Sequence, residues 1–244
     1  MICDKFNLEE KTLLENINLK DKKVLDVGCG NGRYAKILSP HANSYLGIDI
    51  NKSDIAKAIK SNNFNNVKFK QLNVMNINEL NEKFDIIILS LAFHEIDIKE
   101  QGIALKKMIN ILSDNGKIII LDPALDNCSF QTVWDIAYKE IDLFDHDKIL
   151  KNSKGVLENA AKLNIIEIEK RIAVNIDFTF DSIYEITDML IDSWNCDYLC
   201  WNIENKNRLK NLINDFVEKN NLFQNEKIEL YDKLEMIVII KGDK

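Results

Sequence analysis

The sequence predicts an α/β protein built on a mostly parallel sheet, because strand-like apolar runs alternate with stretches of helical periodicity. Hydrophobic residues make up 46% of the 244 positions, and there are only eight glycines and two prolines, which is typical of a globular domain and not of a disordered chain. Each apolar run is short enough for a strand and is followed by a longer periodic segment. The predicted strands are residues 23–27, 44–48, 67–70, 84–90 and 117–121.

The intervening segments are predicted to be helices that return the chain to the start of the next strand. Residues 1–20 contain leucine and isoleucine at helical spacing ahead of the first strand. Residues 98–112 repeat this pattern and end at the turn Ser113–Gly116, which leads into the fifth strand.

The pattern changes beyond residue 165. Between Arg171 and Phe180, polar and apolar residues alternate strictly, which predicts a strand with one solvent-facing side at a sheet edge. Residues 234–240 are continuously apolar, as in a strand covered on both faces. Two further helical stretches, residues 124–162 and 181–222, lie outside these strands.

A glycine-rich loop follows the first strand. The strand turns at Gly28, Gly30 and Gly32 and is followed by a helical pattern, so backbone N–H groups can approach a ligand with no Cβ in the way. The spacing differs from the G-x-G-x-x-G of dinucleotide-binding loops, and Asp26 precedes the first glycine by two residues. A simple tight turn between strand and helix is the alternative interpretation.

The pattern Asp26-x-Gly28-x-Gly30-x-Gly32 resembles motif I of the class I S-adenosylmethionine-dependent methyltransferases. The resemblance rests on motifs across residues 20–125 and on strand order beyond them. It implies a Rossmann-like seven-stranded sheet in which the last strand inserts antiparallel beside the sixth. It also implies one methyltransferase domain over residues 1–244, with helical substrate-cap segments at 1–20, 124–162 and 181–222.

In that family the loop surrounds the amino-acid end of the cofactor. The acidic position, here Asp26, lies near the ammonium group of the methionine moiety, whereas a pyrophosphate would meet this carboxylate unfavourably. The resemblance therefore implies cofactor binding by the loop residues Asp26, Gly28, Cys29, Gly30 and Gly32.

The second strand ends in Asp49, about twenty positions beyond the glycine loop, where a carboxylate can accept the hydroxyls of a ribose. An acid at the start of the next helix is the alternative, although Asn51 or Ser53 could cap that helix equally well. The following residue, Ile50, resembles the apolar neighbour of the adenine ring.

After the third strand, Asn73 and Val74 occupy a position where the family usually has an acidic residue facing the adenine amino group. An amide oxygen can still accept a hydrogen bond from that amine. Asn73 as an ordinary turn residue is the alternative interpretation.

The fourth predicted strand ends at Ser90, and His94 and Glu95 follow shortly after it. This segment resembles the family's fourth motif and the histidine that follows it. The carboxyl end of such a strand faces the ligand crevice of an open α/β sheet. Ser90 is thus a candidate cofactor contact, and His94 is the candidate catalytic residue. A histidine there can be a general base or only a binding residue, and both roles stay open.

Candidate substrate-binding residues are acidic or aromatic side chains near the predicted pocket. Glu95 follows His94, and Asp122 directly precedes Pro123 at the end of the fifth strand. Solvent-exposed loop acids and core aromatics are the alternative interpretations. The aromatic candidates in the two extra helical stretches are Trp134, Tyr138 and Trp194.

The net charge of −7 disfavours a nucleic-acid substrate. The N-terminus lacks a basic segment followed by an apolar core, and no apolar run reaches membrane-spanning length, so we expect a cytoplasmic protein without membrane contact. Five cysteines without a C-x-x-C pair suit reduced thiols. Cys196 and Cys200, four apart, leave a thiolate metal site as an alternative to the predicted absence of metal.

Together these observations predict methyl transfer from S-adenosylmethionine to the oxygen or nitrogen of a small molecule, with S-adenosylhomocysteine as product. Residues 91–94 differ from the Asn/Asp-Pro-Pro-aromatic tetrad of enzymes that methylate nucleobase amines or glutamine amides. A non-catalytic protein that binds the same cofactor is one alternative. An NAD(P)-dependent reductase is another, although the glycine spacing is shorter than such enzymes require. The acceptor molecule and the oligomeric state stay open.

Overall fold

The computed structural model describes residues 2–3, 7–126, 128–140, 146–193 and 202–243, with the side chains of residues 2, 3 and 193 excepted. The chain divides into two compact units. The first consists of residues 1–9, 123–148 and 175–233, and the second of residues 10–122, 149–174 and 234–244.

The second unit is built on a seven-stranded sheet with the order β7-β9-β6-β5-β2-β3-β4. The pairs β2–β3, β2–β5, β3–β4 and β5–β6 are all parallel. The nine strands of the described residues are β1 (Ile2–Cys3), β2 (Lys23–Val27), β3 (Ser44–Asp49), β4 (Val67–Gln71), β5 (Phe84–Ser90), β6 (Leu112–Pro123), β7 (Ile166–Phe180), β8 (Phe223–Gln224) and β9 (Lys227–Lys241).

The two C-terminal strands β7 and β9 run in opposite directions. Arg171 of β7 contacts Glu235 of β9, and farther along β7 Asn175 contacts Tyr231, so the two strands are antiparallel. Strand β9 lies between β7 and β6 in the order. The predicted seven-stranded, mostly parallel fold is confirmed. Its last strand, β9, lies beside the sixth predicted strand, which is β7.

The central strands are buried because both faces of the sheet are covered. Strand β2 is buried from Val24 to Val27, and Ile86–Leu89 of β5 are equally inaccessible. Leu105 and Met108 of one helix and Leu157 of another join the same hydrophobic core. Strands covered on both faces have continuous apolar runs, which explains the sequence pattern of β2 and β5, whereas β4 at the edge of the sheet has no buried residue.

The helices of the described residues are α1 (Leu8–Asn16), α2 (Arg33–Leu38), α3 (Lys52–Ser61), α4 (Gln101–Ile111), α5 (Ser129–Glu140), α6 (His146–Lys162), α7 (Ile183–Ser193) and α8 (Ile203–Lys219). Asn51 caps α3, because its side chain accepts hydrogen bonds from the backbone N–H groups of Ser53 and Asp54. Short 3-10 helices lie at Ser39–His41 and Val74–Leu80.

The first unit contains α5, α7, α8 and the parts of β7 and β9 nearest to them in sequence. Its core includes stacked rings of Phe130 and Phe178, whose centroids are 3.7 Å apart. Strand β1 pairs antiparallel with residues 178–179 of β7. No helix of the described residues is long and apolar enough to cross a membrane.

Candidate active site

The glycine loop between β2 and α2 is held by backbone hydrogen bonds. The N–H groups of Gly28 and Cys29 both donate to the carbonyl of Ile48, at 2.8 and 3.0 Å. Gly28 has a φ of +75°, and a Cβ there would lie 2.6 Å from the Cβ of Ala92. Glycine is required at this position both by the left-handed backbone and by the close approach of the segment after β5.

Asp49, the last residue of β3, ties this loop to the start of α3. One carboxylate oxygen accepts a hydrogen bond from the Gly30 N–H at 2.9 Å, and the other accepts one from the Asn51 N–H at 2.8 Å. A carboxylate has about four acceptor positions, so each oxygen can take a further donor. Asp49 is thus a rigidly placed anion with remaining acceptor capacity.

A pocket of about 340 Å³ opens beside Asp49, at the carboxyl ends of β2, β3 and β5. This volume falls at the lower end of the range for small-molecule sites. Two large apolar side chains on its wall are exposed, Ile50 by 66% and Leu91 by 45%. The lining residues are Val27, Gly28, Ile48, Asp49, Ile50, Leu72, Asn73, Val74, Leu91, Ala92, Glu95, Ile96, Asp97 and Glu100.

Asp26 lies beneath the glycine loop and is 1% exposed. Its carboxylate accepts a hydrogen bond from the hydroxyl of Tyr45 on β3. Burial raises the pKa of Asp26 to about 7; the Tyr45 hydrogen bond opposes this shift and the charge of Asp49 adds to it. Cys29 is buried as well, and burial, followed by the charges of Asp26 and Asp49, raises the pKa of its thiol.

His94 lies in the segment that follows β5 and is 4% exposed. Asp122, at the end of β6, accepts hydrogen bonds from its backbone N–H at 3.1 Å and from ring Nδ1 at 3.0 Å. The other ring nitrogen, Nε2, lies 3.1 Å from a carboxylate oxygen of Glu95. Burial lowers the pKa of His94, but the charge and hydrogen bond of Asp122, with the contribution of Glu95, outweigh it and raise the pKa to about 10.

Ser90, at the end of β5, and Asn73, shortly after β4, each make a side-chain hydrogen bond. The Ser90 hydroxyl donates to the Tyr34 hydroxyl at 2.7 Å, and the Arg33 guanidinium lies 5.0 Å from the centre of the Tyr34 ring. Asn73 caps the 3-10 helix Val74–Leu80, because its side-chain oxygen accepts the Met75 N–H at 2.8 Å. This turn role coexists with the position of Asn73 on the pocket wall.

A family model described as a methyltransferase domain matches residues 18–161, which is more than half of the chain and includes every residue of the pocket. The chain belongs to the methyltransferase-domain family. The class I methyltransferase predicted from the sequence is confirmed, and with it S-adenosylmethionine as the cofactor. The reductase alternative is not supported.

Individual relatives agree with the family. An uncharacterized methyltransferase of Staphylococcus carnosus is 30% identical over 124 residues, or 51% of this chain and 58% of that protein. A tRNA U34 carboxymethyltransferase of Campylobacter fetus is 37% identical over 109 residues, or 43% of this chain and 37% of that protein. The chain therefore spans less than two thirds of either relative.

Among solved structures, a Thiobacillus denitrificans S-adenosylmethionine-dependent methyltransferase in complex with S-adenosylhomocysteine superposes with a TM-score of 0.60. The two proteins are 15% identical, and the match covers 96% of this chain and 91% of the other. At this identity the similarity shows a shared fold.

The structure of this methyltransferase brings six of the candidate residues onto one pocket wall. Others lie directly behind that wall or in the loop: Asp26, Cys29 and His94 are buried, and Asp122 contacts His94. The six lining residues are Gly28, Asp49, Ile50, Asn73, Val74 and Glu95.

Two of the aromatic candidates of the methyltransferase, Trp134 and Tyr138, belong to the first unit. Trp134 and Tyr138 of α5 have ring centroids 6.1 Å apart, and Tyr138 stacks on His146 at 4.7 Å. Trp194, Cys196 and Cys200 lie outside the described residues. These geometries leave the substrate-binding roles as predictions.

Sequence reasoning missed the pocket residues contributed by the segment after β5. Leu91, Ala92, Ile96, Asp97 and Glu100 all line the pocket. Leu91 has a φ of +52°, a left-handed conformation that is uncommon for a leucine. The sequence carries no signal for this turn, because the residue that adopts it is neither glycine nor asparagine.

Proposed function

We propose that this methyltransferase transfers a methyl group from S-adenosylmethionine to an oxygen or nitrogen atom of a small-molecule acceptor. The observation that carries the proposal is the double role of Asp49, whose carboxylate holds the glycine loop through Gly30 and also lines the pocket. A ligand that engages Asp49 is thereby placed against the loop.

The chemistry of the pocket supports a donor with a ribose, an aromatic base and a positive charge. Asp49 can accept ribose hydroxyls, while Ile50, Val74 and Leu91 offer apolar surface to an adenine ring. Four of the lining residues are acidic and none is lysine or arginine: Asp49, Glu95, Asp97 and Glu100. S-adenosylmethionine, when bound, supplies a methyl group on a sulfonium sulfur that a nucleophile can displace.

The environment of His94 favours a positioning role over a general-base role. Its ring nitrogens face Asp122 and Glu95, and a pKa near 10 keeps the imidazole protonated at neutral pH. A protonated imidazole cannot accept a proton from the acceptor. His94 therefore orients the Glu95 carboxylate at the pocket, and the enzyme's task is to align the acceptor and exclude water.

Several finer features stay predictions within this proposal. Asp26 as a contact to the cofactor's ammonium group, and the loop residues Cys29, Gly30 and Gly32 with Ser90 as cofactor contacts, belong here. So do Asp122, Trp134, Tyr138 and Trp194 as substrate contacts, and a single domain with cap segments at 1–20, 124–162 and 181–222. A cytoplasmic location and the absence of a metal ion are further predictions.

A tRNA acceptor is a second candidate, because a relative of 37% identity is named as a tRNA carboxymethyltransferase. The net charge of −7 counts against it, since a phosphate backbone is held by lysine and arginine. Methylation assays on unfractionated tRNA decide between the two acceptor classes. If tRNA is methylated at the rate seen with the molecules of a metabolite extract, tRNA replaces the small molecule as the proposed acceptor.

Calorimetry with the purified protein tests the donor site. We expect binding of S-adenosylmethionine and S-adenosylhomocysteine but not of NAD(P)H, and a loss of about 2 kcal/mol of binding free energy in Asp49→Ala because a charged acceptor of two hydroxyls is removed. The matched control is Asp85→Ala. Asp85 also accepts a backbone N–H, from Lys23 at 2.9 Å, but at the amino end of β5. Equal affinity in wild type and Asp49→Ala would overturn the assignment of Asp49.

Mass spectrometry of molecules that copurify with the protein supplies acceptor candidates. Each is then assayed for transfer of a labelled methyl group from S-adenosylmethionine. A protein that binds the donor but methylates neither copurified molecules nor a metabolite extract would favour the non-catalytic alternative.

A further inference from the structure

One segment after β5 supplies a large part of the pocket wall. Six of the lining residues lie between positions 91 and 100, and among them Glu95 contacts His94. The segment has no regular secondary structure before α4 begins at Gln101. Backbone hydrogen bonds anchor it at Leu91, Ile96 and Glu100, and side-chain contacts add to them.

Gln101 provides such contacts from the first turn of α4. Its side chain is 0% exposed, although glutamine is usually a surface residue. The Nε2 amide donates to the carbonyl of His94 at 3.3 Å and to the carbonyl of Ile96 at 3.1 Å. Gln101 thus holds the backbone on both sides of Glu95.

Asn152 of α6 determines which way the Gln101 amide points. Its Nδ2 donates to Gln101 Oε1 at 2.7 Å and to the carbonyl of Ile98 at 3.4 Å. Because the oxygen of Gln101 faces this donor, the NH₂ group faces the two carbonyls of the segment. An acceptor at position 152 would favour the opposite orientation and set the Gln101 oxygen against those carbonyls.

We propose that Gln101, oriented by Asn152, is a positioning residue that fixes Glu95 at the donor pocket. The inference rests on the proposed function for the identity of the ligand. A buried amide also satisfies neighbouring polar groups in any fold, so the test must separate positioning from general stability.

Asn152→Asp is the principal variant, because Asn152 is only partly buried and the change replaces the donor with an acceptor at constant size. Asn66→Asp is the matched control. The Nδ2 of Asn66 likewise donates to two backbone carbonyls, those of Ser39 at 2.9 Å and Ala42 at 3.0 Å, away from the pocket. Gln101→Leu removes both donors without placing a charge in the core.

Three measurements are made on wild type and variants: thermal stability, S-adenosylmethionine affinity by calorimetry, and backbone hydrogen exchange of residues 94–97 without ligand. We expect Asn152→Asp and Gln101→Leu to weaken the affinity about tenfold and to speed exchange in this segment, since about one to two hydrogen bonds are lost. Asn66→Asp should lower the melting temperature comparably and leave affinity within about twofold.

A double-mutant cycle with Glu95→Ala identifies the route of the effect. If Gln101 acts through Glu95, Asn152→Asp should weaken binding much less in the Glu95→Ala background than in wild type. Additive losses, or unchanged affinity and exchange in folded Asn152→Asp and Gln101→Leu, would overturn the inference while leaving the proposed function intact. If the wild type does not bind S-adenosylmethionine, the proposed function is wrong, and with it the role of Gln101 in fixing Glu95.

Discussion

The carboxylate of Asp122 accepts two hydrogen bonds from a single residue, His94, one from its backbone N–H and one from its ring. The end of β6 is thereby joined to the segment after β5 across 28 positions of sequence. Glu95 lies on the other side of the ring, so the imidazolium is placed between two carboxylates. This arrangement stabilises the folded protein most while His94 is protonated, because the neutral ring can still donate from Nδ1 to Asp122 but is no longer attracted by its charge to the two carboxylates.

The first prediction concerns the pH dependence of that contribution. The pKa of His94 rises from 6.5 to about 10 on folding, so its stabilisation is complete below about pH 6.5 and is lost as pH rises towards 10. His94→Gln should therefore be less stable than wild type at pH 6.5, and the difference in melting temperature should shrink up to pH 10. The exposed His41 gives the control His41→Gln. A difference that is constant or grows with pH would contradict the ion pairing.

The second prediction concerns Asp26, a buried acid that destabilises the folded protein when it loses its proton. Burial raises the pKa of Asp26 from 3.8 to about 7, so the folded state holds a proton that the unfolded state has released between these values. Stability of the wild type should fall as pH rises through this window, with a ceiling of about 4 kcal/mol. Asp26→Asn lacks this loss, so its melting temperature relative to wild type should increase from pH 4 to pH 7.

Asp85→Asn is the control for that series, because Asp85 accepts a backbone N–H at the amino end of β5 and not within the core. Thermal melts at half-unit pH steps measure both variants. If Asp26→Asn follows the wild type at every pH, Asp26 is not a buried, protonatable carboxyl.

The third prediction tests the glycine loop. Gly28→Ala forces a side chain into a left-handed conformation and against Ala92, which should destabilise the protein by about 3 kcal/mol in urea unfolding. Gly102→Ala in α4 is the control, because nothing lies within 4 Å of a Cβ there. That change should leave stability equal or raise it by up to about 1 kcal/mol. Similar losses in both variants would show that neither strain nor the Ala92 contact explains Gly28.

The sequence allowed prediction of features whose signals are local. The apolar runs located the five parallel strands, although β6 begins at Leu112, five residues before the predicted start, because Leu112 already pairs with Phe84 ahead of a register shift. Asp49 was identifiable because strand end, glycine loop and acidic residue follow one another in a fixed order. Asn51, considered as a cap, does cap α3.

The contacts that shape the site depend on residues far apart in sequence. The Asn152–Gln101 hydrogen bond joins positions separated by 51 residues, and neither amide stands in a motif. Asp122 and Glu95 were candidates for substrate contacts. Glu95 directly follows His94, but the pairing of Asp122 with His94 depends on the β5–β6 register, which periodicity does not specify. The raised pKa of His94 follows from its two carboxylate partners, so periodicity alone offered no basis for weighing a base against a binding residue.

The last prediction uses the charge of the pocket. Four acidic side chains line it, and none of its described lining residues is lysine or arginine. S-adenosylmethionine carries a sulfonium charge that S-adenosylhomocysteine lacks, so the attraction of the pocket acts more strongly on the substrate than on the product.

Salt screens this attraction, because the Debye length falls from about 10 Å at 0.1 M to about 3 Å at 1 M. Raising the salt concentration over this range should weaken S-adenosylmethionine binding by about threefold more than S-adenosylhomocysteine binding in calorimetry. Glu100→Gln should reduce this difference, whereas Glu79→Gln, an exposed change outside the pocket, should preserve it. Equal salt dependence for the two ligands would mean that the carboxylates of the pocket do not sense the sulfonium charge.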